Sequence, residues 1–562
     1  MVKRLFNFLE RELTGLHETA LLLGLSALLS QILALIRDRL LASAFGAGPE
    51  LDIYYAAFRL PDLLYVSIGS LVSVTVVLPF LIKHLERGET ESARALFFDL
   101  LRKFSVLMGV AVVALYFLLP WLVGVMVPGF SPAARAALLP LSRILLLSPL
   151  LLGLSNLVAN LTQSSRQFFL YALSPVFYNL GIIVGIGFFY PRLGLSGLTW
   201  GVVLGAAAHL LIQWPAVARG PIVSWSGWWR RPAGGQESRQ ILRLAWPRTL
   251  ALSAHQLAIL ALVALASYFS AGSIAVFNLA YNLQATIVSI IGVSYSVAAF
   301  PSLARLFTNG ERGQFIRQMA VTIRHIIFWS LPALALAIVL RAQIVRVILG
   351  AGKFDWSDTR LTAAALALFL LSVAAQSLIL LFVRGYYASG QTKKPLIINV
   401  LSSALIVFLA VGLWRLFAWW PAGKLGLAQL LRVADLTSVE LLVLPLAFTS
   451  GVLLNLFIFW RSSRRDFGAF PPLLYRSLGQ SAAAALAAGG AAYLILQLLA
   501  PVFDQRTFWG IFNQGWWAGV GGISAGFLVL RQLANEELME ISHSFRHKFW
   551  RRAQPIPPAE EL

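Results

Sequence analysis

About 14 stretches of this chain are apolar over roughly the 20 residues that a helix needs to cross a bilayer. They lie near 19–36, 54–82, 104–127, 136–160, 168–190, 195–217, 241–269, 273–303, 321–349, 361–388, 396–417, 439–460, 473–499 and 511–531. Lipid offers a backbone no hydrogen-bond partners, so each stretch must pair its own N–H and C=O groups as a helix. The expected fold is therefore an all-α polytopic membrane protein. Composition agrees, because only 12% of the 562 residues are charged, half the share of a soluble chain, about a quarter.

Loop charge gives an orientation. Basic residues collect in alternate loops: Lys83, Arg87, Arg94, Arg102 and Lys103; Arg166; Arg219, Arg239 and Arg243; Arg305, Arg312 and Arg317; Lys393 and Lys394; Arg461, Arg464 and Arg465. Cytoplasmic loops carry such an excess. Both termini share it, through Lys3, Arg4 and Arg11 and through Arg546, Lys548, Arg551 and Arg552. The pattern predicts an even number of spans with both ends in the cytoplasm. The first apolar run, near Ala20 to Ile36, meets Arg37-Asp38-Arg39, and more spans follow. It reads as a retained signal-anchor and not as a cleaved signal peptide.

The net charge of +21 belongs to these loops, so no nucleic-acid partner is expected. Trp225, Trp228 and Trp229 beside Arg230 and Arg231 read as a headgroup-layer segment. Cysteine is absent, which excludes disulfides and thiolate chemistry, and the 7 histidines show no metal-ligand spacing. No metal or cofactor is expected. An enzyme would need paired acids or a metal site in a sizeable extramembrane domain, and the loops are too short to hold one.

Two stretches resemble each other. The first runs from Phe45–Gly48 through Ala57–Leu60, Gly69 and Ser73-Val74 to Pro79. The second runs from Phe269–Gly272 through Ala280–Leu283, Gly292 and Ser296-Val297 to Pro301. Six spans separate the copies, so they run in the same direction, as in transporters whose lobes are related by an axis along the membrane normal. The expected organisation is a cytoplasmic segment at 1–18, an N-lobe of six spans with its linker at 19–240 and a C-lobe of six spans at 241–465. Two additional helices at 466–531 and a basic cytoplasmic tail at 532–562 complete it.

Ionisable groups inside a bilayer are costly and mark transport pathways. Arg37 and Asp38 end the first span. Arg59 and Asp62 flank Pro61 in the second, Arg143 lies in the fourth, and Arg248 follows Pro247 in the seventh. These six are the candidate substrate-binding residues. The alternatives are an interfacial anchor for Arg37, Arg59 and Arg248, and a snorkelling or helix-fixing role for Arg143. The guanidinium fork suits phosphate or carboxylate, so the expected partner is an anionic, lipid-linked substrate within membrane lipid. No Asp or Glu occurs between Glu237 and Glu311, leaving Asp38, Asp52 and Asp62 as the candidates for cation coupling. His209 and His255 read as structural.

Arg37-Asp38-Arg39-Leu40-Leu41, Phe45-Gly46-Ala47-Gly48, Asp52 and Ala57-Phe58-Arg59-Leu60-Pro61 resemble the N-terminal signature of MviN/MurJ-type lipid II flippases. Pro128-Gly129-Phe130, Asn160, Arg166-Gln167-Phe168, Pro175 with Asn179, Gly352-Lys353-Phe354 and Tyr386-Tyr387-Ala388 extend the resemblance. It implies two six-helix lobes, two extra C-terminal helices, and outward movement of undecaprenyl-pyrophosphate-linked peptidoglycan precursor across the bacterial cytoplasmic membrane. It also implies partnership with the peptidoglycan synthesis machinery. The chain departs from the family pattern at Gln31 and Asn282, each in place of an arginine, and at Tyr65–Ser70, in place of paired arginines and F-A-E-G-A. The competing readings are a flippase for another polyprenyl-linked oligosaccharide and a drug exporter of the same superfamily.

Overall fold

The computed structural model describes residues 16–165, 167–219 and 235–542. Arg166, the Trp225–Arg231 linker, the first 15 residues and the tail beyond 542 lie outside the described residues. Every regular element among the described residues is helical. Ten helices are long and apolar enough to cross a membrane, and a pair bent by 42°, Trp356–Leu370 with Val373–Ala388, brings the number to eleven. Helices also occupy the remaining three of the fourteen expected positions: Leu16–Phe45, the 17-residue Leu195–Leu211, and Phe508–Gln532.

The second span shows how sequence breaks a helix. Proline has no N–H to give the carbonyl four residues back. With Pro61 in place the element divides into Pro49–Ala57 and Arg59–Ile68. A tight turn at Gly69–Val72 and an extended Ser73 (ψ 151°) precede the next helix, Val74–Glu86. This one span therefore presents side chains along several directions.

Small residues bring neighbouring helices close, which in lipid is what packing rests on. A Cβ on Gly181 of Phe168–Val184 would lie 2.2 Å from the Gly205 Cα of Leu195–Leu211. The last two helices, Leu473–Leu499 and Phe508–Gln532, pack in the same way, a Cβ on Gly522 meeting the Ala488 carbonyl oxygen at 2.7 Å.

The chain divides into two compact units. One takes the residues up to Ala280 with Ile348–Ala365 and Thr392–Gly451; the other takes Tyr281–Val347, Leu366–Gln391 and Val452–Leu562. In the second unit a buried polar cluster fastens the segment after the Phe508–Gln532 helix. Arg324 pairs with Glu536 at 2.7 Å and with the buried Glu537, which also accepts from the Ser477 hydroxyl at 2.8 Å.

Candidate functional site

In the first unit a set of loop contacts follows the internal repeat. The Lys353 N–H donates to the Ser43 carbonyl at 2.9 Å, and the Gly129 N–H to the Ser267 hydroxyl at 3.0 Å. Ser43 and Ser267 occupy matching places in the two copies, as do the Pro128–Phe130 and Gly352–Phe354 loops, so one contact is the pseudo-symmetric image of the other. Gly272 has φ +91°, and any Cβ there would sit 1.9 Å from the Ala47 carbonyl oxygen. Only glycine fits such a conformation and such an approach.

Asp52 completes this set of contacts. Its carboxylate is buried and accepts from the Gly272 N–H at 2.6 Å and the Ala275 N–H at 2.7 Å. It thereby caps the start of the Ser273–Val288 helix, where unpaired N–H groups favour a negative charge. Asp358 makes a related contact, accepting from the Ala47 N–H at 3.0 Å. Among the acids considered for cation coupling, Asp52 thus has both oxygens engaged by backbone.

Arg37 and Asp38 come together. The Arg37 guanidinium donates to Asp38 Oδ1 at 2.9 Å from Nε, and Nη2 lies 2.8 Å from the same oxygen. A second donor, Nη1, reaches Asn179 Oδ1 at 3.1 Å. Asn179 is held in turn, its amide donating to the Pro175 carbonyl at 3.1 Å and to the Ser30 hydroxyl at 3.2 Å. The Arg37 side chain keeps 20% of its surface accessible against 5% for Asp38. The acid is spent on pairing while the guanidinium retains an open side.

Arg59 donates to the Asn278 side-chain oxygen, and the Asn278 amide donates to the Ile274 carbonyl at 2.7 Å. Asp62 feels the Arg59 charge and lies in electrostatic reach of Tyr54, Tyr65 and Tyr178. Arg37, Asp38, Arg59 and Asp62 thus belong to one constellation. The Arg143 guanidinium lies 4.5 Å over the Tyr116 ring, a contact that fixes the Pro132–Leu145 helix to its neighbour. Arg248 is half-buried beside Thr249, whose hydroxyl pairs with Ser70 at 2.8 Å. Ser67 pairs with Ser253 at 2.9 Å. The stretch that departs from the family pattern therefore joins two helices through hydroxyls.

Sequence reasoning did not place Asn179 or the tyrosines in the site. Asn179 had a signal in its spacing from Pro175, while Tyr54, Tyr55 and Tyr178 look like ordinary residues of apolar helices. His209 pairs with the buried Ser155 at 2.7 Å and is structural. Among the described residues no group of three or more His, Asp or Glu side chains could hold a metal ion.

The helical bundle has the fold that solved lipid flippases and multidrug exporters share. A solved lipid II flippase MurJ in an inward closed conformation superposes with TM-score 0.70 at 18% identity, covering 93% of this chain and all of that one. An inward-facing multidrug MATE transporter of the MOP superfamily gives 0.64 at 14% identity over 79% of this chain and 96% of its own. The family model of the lipid II flippase MurJ matches residues 41–511, and the chain belongs to that family. Arg37 and Asp38 fall just before the matched range.

Relatives include a probable lipid II flippase MurJ of Rhizobium tropici, 27% identical over 435 residues, covering 75% of this chain and 79% of its own. The lipid II flippase MurJ of Burkholderia cenocepacia is 24% identical over 382 residues, covering 66% and 73%.

Proposed function

We propose that this chain carries lipid II, the undecaprenyl-pyrophosphate-linked peptidoglycan precursor, from the inner to the outer face of the bacterial cytoplasmic membrane by alternating access. The observation that carries the reading is Arg37. An arginine in a span is stable there only with partners. Asp38 and Asn179 orient this one and leave a face open for an anion. A pyrophosphate takes that face, and Arg59 lies in the same constellation for its second phosphate. Arg248 and Arg143 are assigned supporting roles, nearer the cytoplasmic end and against the third span respectively.

In this reading the lobes are 19–240 and 241–465, fourteen helices span the membrane, and the basic loops and both termini face the cytoplasm. The seal at Ser43, Gly129, Ser267 and Lys353 then lies toward the outer face. It opens when the Asp52 cap and its backbone partners separate. The enzymes that polymerise the precursor outside the membrane are the expected partners.

A second reading has its own support. Gln31 and Asn282 stand where the family resemblance leads to an expectation of arginine, and the Tyr65–Ser70 stretch departs from the family pattern, which favours a head group with less charge and more hydroxyls, on another polyprenyl-linked glycan. The test is lipid II exposure on the outer face of cells depleted of their own flippase and expressing this chain. Restored export that is lost in Arg37→Ala supports the lipid II reading. Absence of export from correctly inserted protein rejects it in favour of the second.

A further inference from the structure

Beyond the arginines, the first unit carries a run of uncharged polar side chains on three helices. Tyr65, on Arg59–Ile68, accepts a hydrogen bond from the Asn156 amide of Leu147–Ser164 at 2.9 Å. Tyr178, on Phe168–Val184, interacts with Ser148, and Tyr171 on the same helix interacts with Gln163. Tyr65 lies within electrostatic reach of both tyrosines. Tyr65, Tyr171 and Tyr178 are each half-buried and keep accessible surface.

The hydroxyl of Tyr55, a side chain only 8% exposed, is among the polar atoms buried without a hydrogen-bond partner among the described residues. Tyr55 sits in reach of Arg37, Asp38 and Arg59. A buried polar group left unpaired is costly and points to a missing partner. The run has direction as well. Tyr171 is in the first turn of its helix and Asn179, which holds Arg37, lies eight residues on, about 12 Å along the axis.

We propose that this run is a glycan-reading ladder, with Tyr65, Tyr171 and Tyr178 and their amide and hydroxyl partners binding the sugar part of the transported head group while Arg37 holds its phosphate. The inference rests on the lipid-linked reading above and assigns the residues that set its specificity. Phenol rings offer an apolar face for the C–H side of a pyranose and a hydroxyl at the rim. Asparagine and glutamine offer paired donors and acceptors that match sugar hydroxyls and amides. Neutral groups of this kind discriminate by hydrogen bonding, because the wrong ligand leaves them unpaired. An arginine at position 65 would instead reinforce the hold on phosphate.

The experiment compares two probes on the full-length chain in lipid nanodiscs: lipid II, and undecaprenyl diphosphate, which has the same anchor and phosphates but no sugar. Binding is read by native mass spectrometry for the unsubstituted chain, Tyr65→Phe, Tyr178→Phe and Arg37→Ala. Tyrosine to phenylalanine removes one hydroxyl and keeps the ring, and a thermal melt checks that each variant remains folded. Each phenylalanine variant is expected to bind lipid II about five- to tenfold more weakly with undecaprenyl diphosphate unaffected, whereas Arg37→Ala weakens both. A loss that is equal for both probes, or no loss, overturns the ladder. Equal affinity of the unsubstituted chain for the two lipids overturns it too while the lipid reading stands. Binding of neither lipid removes that reading and the ladder with it.

Discussion

Asp52→Asn should open the seal without changing its shape. Both carboxylate oxygens accept backbone N–H bonds, from Gly272 at 2.6 Å and Ala275 at 2.7 Å. Asparagine keeps one acceptor and turns an NH2 group toward the other N–H, so one charge-assisted bond is lost and a donor faces a donor. A hydrogen bond to a charged group contributes about 1.5–3 kcal/mol, and the loss of favourable charge at a helix N-terminus adds a few tenths or more. A net loss of about 2–3 kcal/mol lowers the closed-to-open ratio about 30- to 150-fold. The chain has no cysteine, so Glu50→Cys with Ser357→Cys, both at exposed positions, takes two spin labels without further engineering. Pulsed electron–electron resonance should give one short distance for the native seal and a second, longer population in Asp52→Asn. Identical distributions in the two proteins would refute the idea that the Asp52 cap holds the seal.

Three other outcomes are expected. Gly272→Ala places a Cβ 1.9 Å from the Ala47 carbonyl at φ +91°, a strain of about 1–3 kcal/mol, and should lower the melting temperature while showing the same long-distance population. Asn179→Leu leaves Arg37 with Asp38 alone and should reduce precursor export about tenfold with the protein still inserted; unchanged export would show that Asn179 does not position the guanidinium. Burial works to raise the Glu537 carboxyl, but Arg324 and Ser477 outweigh it and hold it below the usual glutamate range. A depressed carboxyl contributes stability that is present above its unfolded value and lost as pH falls through the folded one. The protection of residues 535–542 against hydrogen exchange, corrected for the intrinsic pH dependence of amide exchange, should therefore fall as pH is lowered below the ordinary glutamate value, and fall about tenfold at neutral pH in Arg324→Ala. Protection independent of pH in the native chain would count against the ion pair as the fastening.

What the sequence showed and what it hid follow from the range of the interactions. The apolar runs, the break near Pro61 and the adjacency of Arg37 and Asp38 are local, and periodicity and spacing expose them. Asn179 serves Arg37 from 142 positions away; its spacing from Pro175 marks the residue but not the arginine it holds. Asp52 drew notice as a buried acid, but its partners are backbone N–H groups, which no sequence pattern displays. Arg143 stood out only as a charge in an apolar stretch, a property that the Tyr116 ring accommodates. The tyrosines were hidden for a related reason. A phenol in a span looks apolar in a hydropathy reading, although its hydroxyl must find a partner once buried. The same property makes them suited to the site. Each arginine added to a membrane cavity brings a desolvation cost and needs its own counter-charge, as Arg37 needs Asp38. Hydroxyls and amides at Tyr65, Asn156 and Gln163 carry less of that cost and attract anions less. On the proposed reading, a site lined by such groups relies less on charge for affinity and more on hydrogen bonding for discrimination. Binding by the native chain should therefore depend less on ionic strength than binding by a Tyr65→Arg variant. Lipid II affinities measured in low and high salt for the two proteins side by side would test this; equal salt dependence would argue that Arg37 and Arg59 alone set the electrostatic part of binding.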